Sequence, residues 1–115
     1  MEISKQNIKD LIKKYNNKEG FIIYFYAEWC SYCSKFNPTW NKFSKSLKNK
    51  KINLFKIEDT QINLNKRYKL IKELKNLSPG YPSVFYVKNK NDVELLVGSD
   101  TTLKQLTNKM NDFFN

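Results

Sequence analysis

Apolar residues fall along this chain in two rhythms, one suited to helices and one to strands. Ile8, Leu11, Ile12 and Tyr15 lie at spacings that share one helical face, which predicts an amphipathic helix over residues 5–16 with Ser4 as its N-cap. Asn16, Asn17 and Gly20 end it. Residues 21–26, Phe-Ile-Ile-Tyr-Phe-Tyr, form a continuous apolar run rich in β-branched and aromatic types, which suits a strand covered on both faces at the centre of a sheet. Phe36, Trp40, Phe43 and Leu47 then recur every three to four residues, so a helix beginning near Cys30 packs that stripe on the sheet, with Pro38 expected to kink it. Residues 52–57 predict a second strand, Leu64, Tyr68, Ile71 and Leu74 a further helix, and 76–80 a break. Strands at 83–87 and 93–97 flank a turn-forming loop. A last helix carries Leu103, Leu106, Met110 and Phe113 on one side, capped by Asp100 or Thr101. Early alternation of strand and helix implies parallel strands with right-handed crossovers, and the closing hairpin adds antiparallel ones. The expected architecture is α/β, a central mixed β-sheet flanked by α-helices, in a single domain over residues 1–115.

Against this frame the chemistry concentrates in one place. The chain has two cysteines, Cys30 and Cys33, at the junction between the buried strand and the helix that follows. The start of a helix leaves backbone N–H groups unpaired, and their partial positive charge favours thiolate over thiol. Cys30 is therefore the candidate nucleophile. Cys33, one turn further in, is close enough to form a disulfide with it and is expected to be the more buried, which suits a resolving thiol. The same pair would also serve as half of a zinc site, but the chain has no His and no third Cys, so tetrahedral closure needs a second molecule. Two inert core cysteines are the remaining alternative, and such a junction is a poor place to hide both.

Charge changes the picture little. The formal charge of +10 comes from 21 Lys and Arg against 11 Asp and Glu. Clustered cations would point to nucleic acid or an acidic partner. Here lysine is scattered over every segment among abundant asparagine, so nucleic acid is not the expected partner, and residues 48–51 and 66–69 are the candidate basic patches. No apolar run is long enough to cross a membrane. The polar residues 1–7 carry no secretory pattern and residues 110–115 neither a retention signal nor a lipidation motif, so a reducing, cytoplasmic setting is expected.

Residues 25–33, Phe-Tyr-Ala-Glu-Trp-Cys-Ser-Tyr-Cys, resemble the active-site segment of thioredoxins and of the catalytic domains of protein disulfide isomerases. Pro38 stands where that family has a helix-kinking proline, Gly80-Tyr81-Pro82-Ser83 resembles its cis-proline loop, and Gly98 falls where it has a glycine. The resemblance spans roughly residues 4–114. It implies a thioredoxin-like fold and a thiol–disulfide oxidoreductase that reduces or exchanges protein disulfides through a mixed disulfide. It implies a cis Pro82 facing the sulfurs and the backbone of Tyr81 pairing with an extended substrate. Trp29, Ser31, Tyr32, Tyr81 and Pro82 would form the substrate-binding surface, with Tyr26 beside Trp29 shielding the sulfurs. On local grounds alone, Pro82 equally suits a trans proline opening an edge strand. The implied partners are protein disulfides and, as electron donor, a thioredoxin reductase or glutathione. No cofactor beyond the cysteine pair is implied, and the expected state is a monomer.

Three departures bear on mechanism. The family's buried acid six residues before the first cysteine is Tyr24 here, so the resolving step must run more slowly, use water, or borrow Glu58 or Asp59. Ser31-Tyr32 matches neither the Gly-Pro of thioredoxins nor the Gly-His of the isomerases. The stretch from Tyr68 to Pro82 is longer than its family counterpart, which gives room for added substrate contacts. The enclosed tyrosine is also similar to glutaredoxins, and residues 97–100 faintly resemble their glutathione-binding turn without its double glycine. A glutathione-dependent enzyme is thus the second reading, and a thioredoxin-fold binding module or iron–sulfur scaffold the third.

Overall fold

The computed structural model describes residues 1–115. Nine elements follow in the order α1 (Ile8–Asn16), β1 (Phe21–Tyr26), α2 (Ser31–Ser46), β2 (Asn53–Glu58), α3 (Asp59–Leu64), α4 (Lys69–Leu77), β3 (Ser83–Asn89), β4 (Asp92–Val97) and α5 (Leu103–Phe113). The strands form one sheet in the order β2-β1-β3-β4. β1 runs parallel to β2 and antiparallel to β3, and β3 pairs antiparallel with β4. This is the mixed sheet the alternation predicts, with the apolar run of β1 in its interior.

Period-two alternation along β1 feeds two cores. Phe21, Ile23 and Phe25 pack with Ile8 and Leu11 of α1, Ile62 of α3 and Leu70, Ile71 and Leu74 of α4 on one face. Ile22 and Tyr24 pack on the other with Phe36, Trp40 and Phe43 of α2 and Leu106, Met110 and Phe113 of α5. The helical stripe beginning at Phe36 is thus core. It fixes α2, and with it Cys30 and Cys33, against the carboxyl end of β1.

Helix starts differ from the sequence pattern, and side-chain hydrogen bonds explain the differences. α1 begins later than expected because Asn7, not Ser4, stands at its N-cap position. The Asn7 side chain accepts the Ser4 N–H at 2.7 Å and donates to the Glu2 carbonyl at 2.8 Å, holding residues 5–7 in a turn. The segment expected as one helix from Leu64 to Leu74 is two. Asn65 ends α3, donating its Nδ2 to the Gln61 carbonyl at 2.7 Å, and Leu64 is left exposed. α5 is capped by Thr102, not by Asp100 or Thr101. Thr102 and Gln105 form a reciprocal capping box, while the Asp100 carboxylate pairs with Lys35 at 3.1 Å. The N-terminal residues, read as merely polar, extend the sheet: Glu2 bridges to Lys56 in parallel and Ile3 is buried.

Candidate active site

Parallel pairing sets Tyr26 at the end of β1 beside Glu58 at the end of β2. The chain leaving β1 turns through residues 27–29 and enters α2, and Cys30 is the N-cap residue of that helix. Its backbone is extended, and its Sγ accepts the Cys33 N–H at 3.4 Å. An amide directed at the sulfur from the first turn stabilises negative charge there. Both thiols are free, and Cys33 is the more buried of the two, as expected.

The loop before β3 closes over the pair. The Tyr81–Pro82 peptide bond is cis, as the resemblance implied. The Cys30 thiol lies 3.7 Å from the Tyr81 carbonyl, to which it donates. Gly98 donates its N–H to the Pro82 carbonyl at 3.1 Å from a left-handed backbone with φ of +104°, a region where a Cβ is strained. That contact ties the proline loop to the end of β4. Trp29 is 72% exposed and meets the Tyr81 ring edge-on at 6.0 Å, and Tyr32 is 64% exposed on the first turn of α2 beside exposed Ser31. Trp29, Ser31 and Tyr32 are thus exposed next to the cysteines in the chain, while Tyr26 and Tyr81 pack against the small cluster of Ala27, Cys30 and Cys33.

The second thiol sits among groups of a different kind. Burial pushes the Cys33 thiol up to about 11; a hydrogen bond to the Ala27 backbone works against that rise, and the neighbouring Cys30 adds to it. The neighbouring Tyr24 hydroxyl also works against the rise and favours the thiolate. Burial holds that phenol far above its ordinary range, so Tyr24 stays protonated. Its hydroxyl donates to Asn37 Oδ1 at 2.7 Å, and Asn37 is half-buried. The buried Cys33 thus has the Tyr24–Asn37 hydrogen bond as its polar neighbour.

Neither carboxylate offered by the sequence reaches Cys33. Glu58 accepts the Thr60 N–H at 2.8 Å as the cap of α3 and the Glu28 N–H at 3.2 Å. Asp59 accepts the Tyr81 hydroxyl, which also receives a hydrogen bond from Lys75 Nζ at 2.9 Å. Two partners went unnoticed in the sequence: Asn37, and the Asp59–Tyr81–Lys75 link. Asn37 stands four residues after Cys33 and so shares its helical face, which is the signal that finds it. No cluster of three or more His, Cys, Asp or Glu gathers to hold a metal ion.

This geometry has relatives. The family model for thioredoxin matches residues 1–112. A protein disulfide isomerase-like 2-3 from Oryza sativa subsp. japonica is 34% identical over 71 residues, 61% of this chain and 15% of its own length. A thioredoxin domain-containing protein from Theileria parva is 30% identical over 97 residues, 83% of this chain and 40% of its own. The chain thus spans less than half the length of these curated relatives. Among solved structures, the J-Trx1 fragment of ERdj5 superposes with a TM-score of 0.72 at 19% identity, covering 100% of this chain and 52% of that one. Thioredoxin from Malassezia sympodialis gives 0.70 at 19%, covering 99% and 90%. Fold, cysteine pair and family match agree: the chain belongs to the thioredoxin family.

Proposed function

We propose that the protein is a thiol–disulfide oxidoreductase of protein substrates, with Cys30 as nucleophile and Cys33 as resolving thiol. The observation that carries this reading is the asymmetry of the pair. Cys30 lies at the helix start beside the Tyr81 carbonyl, whereas Cys33 is sealed beneath it with its thiol pushed up to about 11.

The Cys30 thiolate attacks one sulfur of a substrate disulfide. The Cys30–substrate S–S bond forms, the substrate S–S bond breaks, and the leaving thiolate takes up a proton. Cys33 then gives its proton to water and attacks Cys30 Sγ; the Cys30–substrate S–S bond breaks, the Cys30–Cys33 disulfide forms, and the departing substrate thiolate takes up a proton from solvent. Two electrons from a thioredoxin reductase or from glutathione restore the dithiol. Trp29, Ser31, Tyr32, Tyr81 and Pro82 supply the docking surface, with the Tyr81 backbone pairing to an extended segment. Tyr24 stays protonated and is no base; its hydroxyl favours the Cys33 thiolate, and the thiol proton leaves to water.

Equilibration with glutathione redox buffers tests the proposal. A reversible Cys30–Cys33 couple is expected, with a potential nearer roughly −270 mV than roughly −180 mV, because no His between the cysteines adds to thiolate stabilisation. A pair that forms no reversible disulfide overturns the reading. Efficient turnover of a small glutathione mixed disulfide, with none of protein disulfides, would replace it with a glutaredoxin-like activity.

A further inference from the structure

On the outer side of α4 and the turn before it lies an open groove of about 700 Å³ lined by Lys66, Arg67, Lys72, Lys75 and Asn76. Lys72, Lys75 and Asn76 share one face of α4 by their spacing, while Leu70, Ile71 and Leu74 bury the other. No apolar side chain lines the groove. None of its four cations lies within ion-pair distance of a carboxylate, and the adjacent Glu73 is engaged with Lys69 at 3.8 Å. Like charges gathered on a concave wall repel one another and focus potential outward, a cost that an anionic ligand removes.

One end of the groove lies at the side chain of Tyr81. Lys75 donates to the Tyr81 hydroxyl and sits 4.7 Å from the centre of its ring, and the Tyr81 carbonyl faces Cys30. Tyr81 thus links the two places, its backbone facing Cys30 and its hydroxyl end meeting Lys75. The lining offers no ring on which a base stacks, and the single guanidinium lies over Tyr68, which is outside the lining. Flexible carboxylates of an extended polypeptide fit these features better than a nucleic acid does.

We propose that this groove binds an acidic stretch of the disulfide-bearing polypeptide and steers such substrates to Cys30. The inference rests on the oxidoreductase reading for its consequence in turnover, and its binding half stands apart from it. The test uses two-cysteine disulfide peptides with Glu-rich, Gly/Ser-rich or Lys-rich tails, and a Glu-rich peptide without cysteine. Both are measured with the natural chain, with Arg67→Glu/Lys72→Glu, and with Lys48→Glu/Lys51→Glu, which changes net charge equally on another patch.

The Glu-tailed peptide is expected to show a kcat/KM about tenfold above the Gly/Ser-tailed one at low salt, and to lose that advantage at about 0.5 M salt. Arg67→Glu/Lys72→Glu abolishes the advantage and leaves the Gly/Ser-tailed peptide unchanged, while Lys48→Glu/Lys51→Glu preserves it. Equal rates for all tails overturn the proposal, as does equal loss in both variants, which would mean net charge alone. A single-stranded oligonucleotide that binds the groove more tightly than the Glu-rich peptide also overturns it, in favour of nucleic acid. If no peptide is reduced, the oxidoreductase reading has failed. Fluorescence anisotropy of the cysteine-free peptide then decides the groove alone, with binding lost only in Arg67→Glu/Lys72→Glu supporting it and equal binding by all three proteins refuting it.

Discussion

At Cys33 the chemistry is set by burial and answered by a hydroxyl. A thiol pushed up to about 11 is protonated at neutral pH, which keeps it from competing with Cys30 for substrate but delays its own attack. The resolving step is therefore expected to accelerate roughly tenfold per pH unit through the neutral range, because burial keeps the thiol protonated there and the thiolate fraction grows at that rate. Tyr24→Phe removes the hydroxyl that favours the thiolate and leaves Asn37 Oδ1 without its donor. Resolution should slow by roughly an order of magnitude, the worth of one hydrogen bond, with the first, bimolecular step unchanged. Quenched-flow mass spectrometry of preformed mixed disulfide checks this, and an unaltered rate in Tyr24→Phe would remove Tyr24 from any role at Cys33. The positions of the cysteines, Trp29 and Pro82 are legible in the sequence because each belongs to a local motif. What surrounds Cys33 is not, since Tyr24 and Asn37 meet only when α2 packs across β1. The position of Tyr24 identifies the missing acid; it says nothing of the amide that takes over its hydrogen bond.

Elements were legible where apolar periodicity is long, and misread where side chains cap or interrupt it. β1 and α2 stand where their patterns place them. The joined helix over Leu64 to Leu74 fails because Leu64 imitates the period of α4 although Asn65 breaks the helix between them. Spacing alone cannot register that break, because it depends on an asparagine side chain bonding back to a carbonyl four residues earlier. The start of α5 is shifted for a related reason: Asp100, Thr101 and Thr102 are all competent caps, and only Thr102 has Gln105 three residues on. Thr102→Ala should cost about 1 kcal/mol of stability in chemical denaturation. Thr101→Ala should cost less than half as much, since its hydroxyl makes one long contact at 3.4 Å. Equal losses would contradict the capping assignment.

Across the whole molecule, two cores on opposite faces of one sheet bring three separated segments to the same end of its strands. They are the start of α2, the loop before β3 and the turn after β4, joined by the Cys30–Tyr81 and Pro82–Gly98 contacts. The architecture was legible because the order of elements restricts the topology to few solutions. The convergence of Asp59 and Lys75 on Tyr81 was not, because it depends on how far apart α3 and α4 are set. The basic patch at 66–69 was legible too, but that Lys66 and Arg67 share a groove with Lys72 and Lys75 comes only from the fold of α4. The central claim is that this scaffold divides nucleophile from resolving thiol, and trapping of covalent intermediates tests it most directly. Cys30→Ser and Cys33→Ser proteins are incubated with a disulfide-bonded protein and the adducts are read by intact mass spectrometry. Cys33→Ser should accumulate a mixed disulfide at Cys30 while Cys30→Ser forms none. Adducts on Cys33 in the Cys30→Ser protein, with none on Cys30 in its counterpart, would contradict the account.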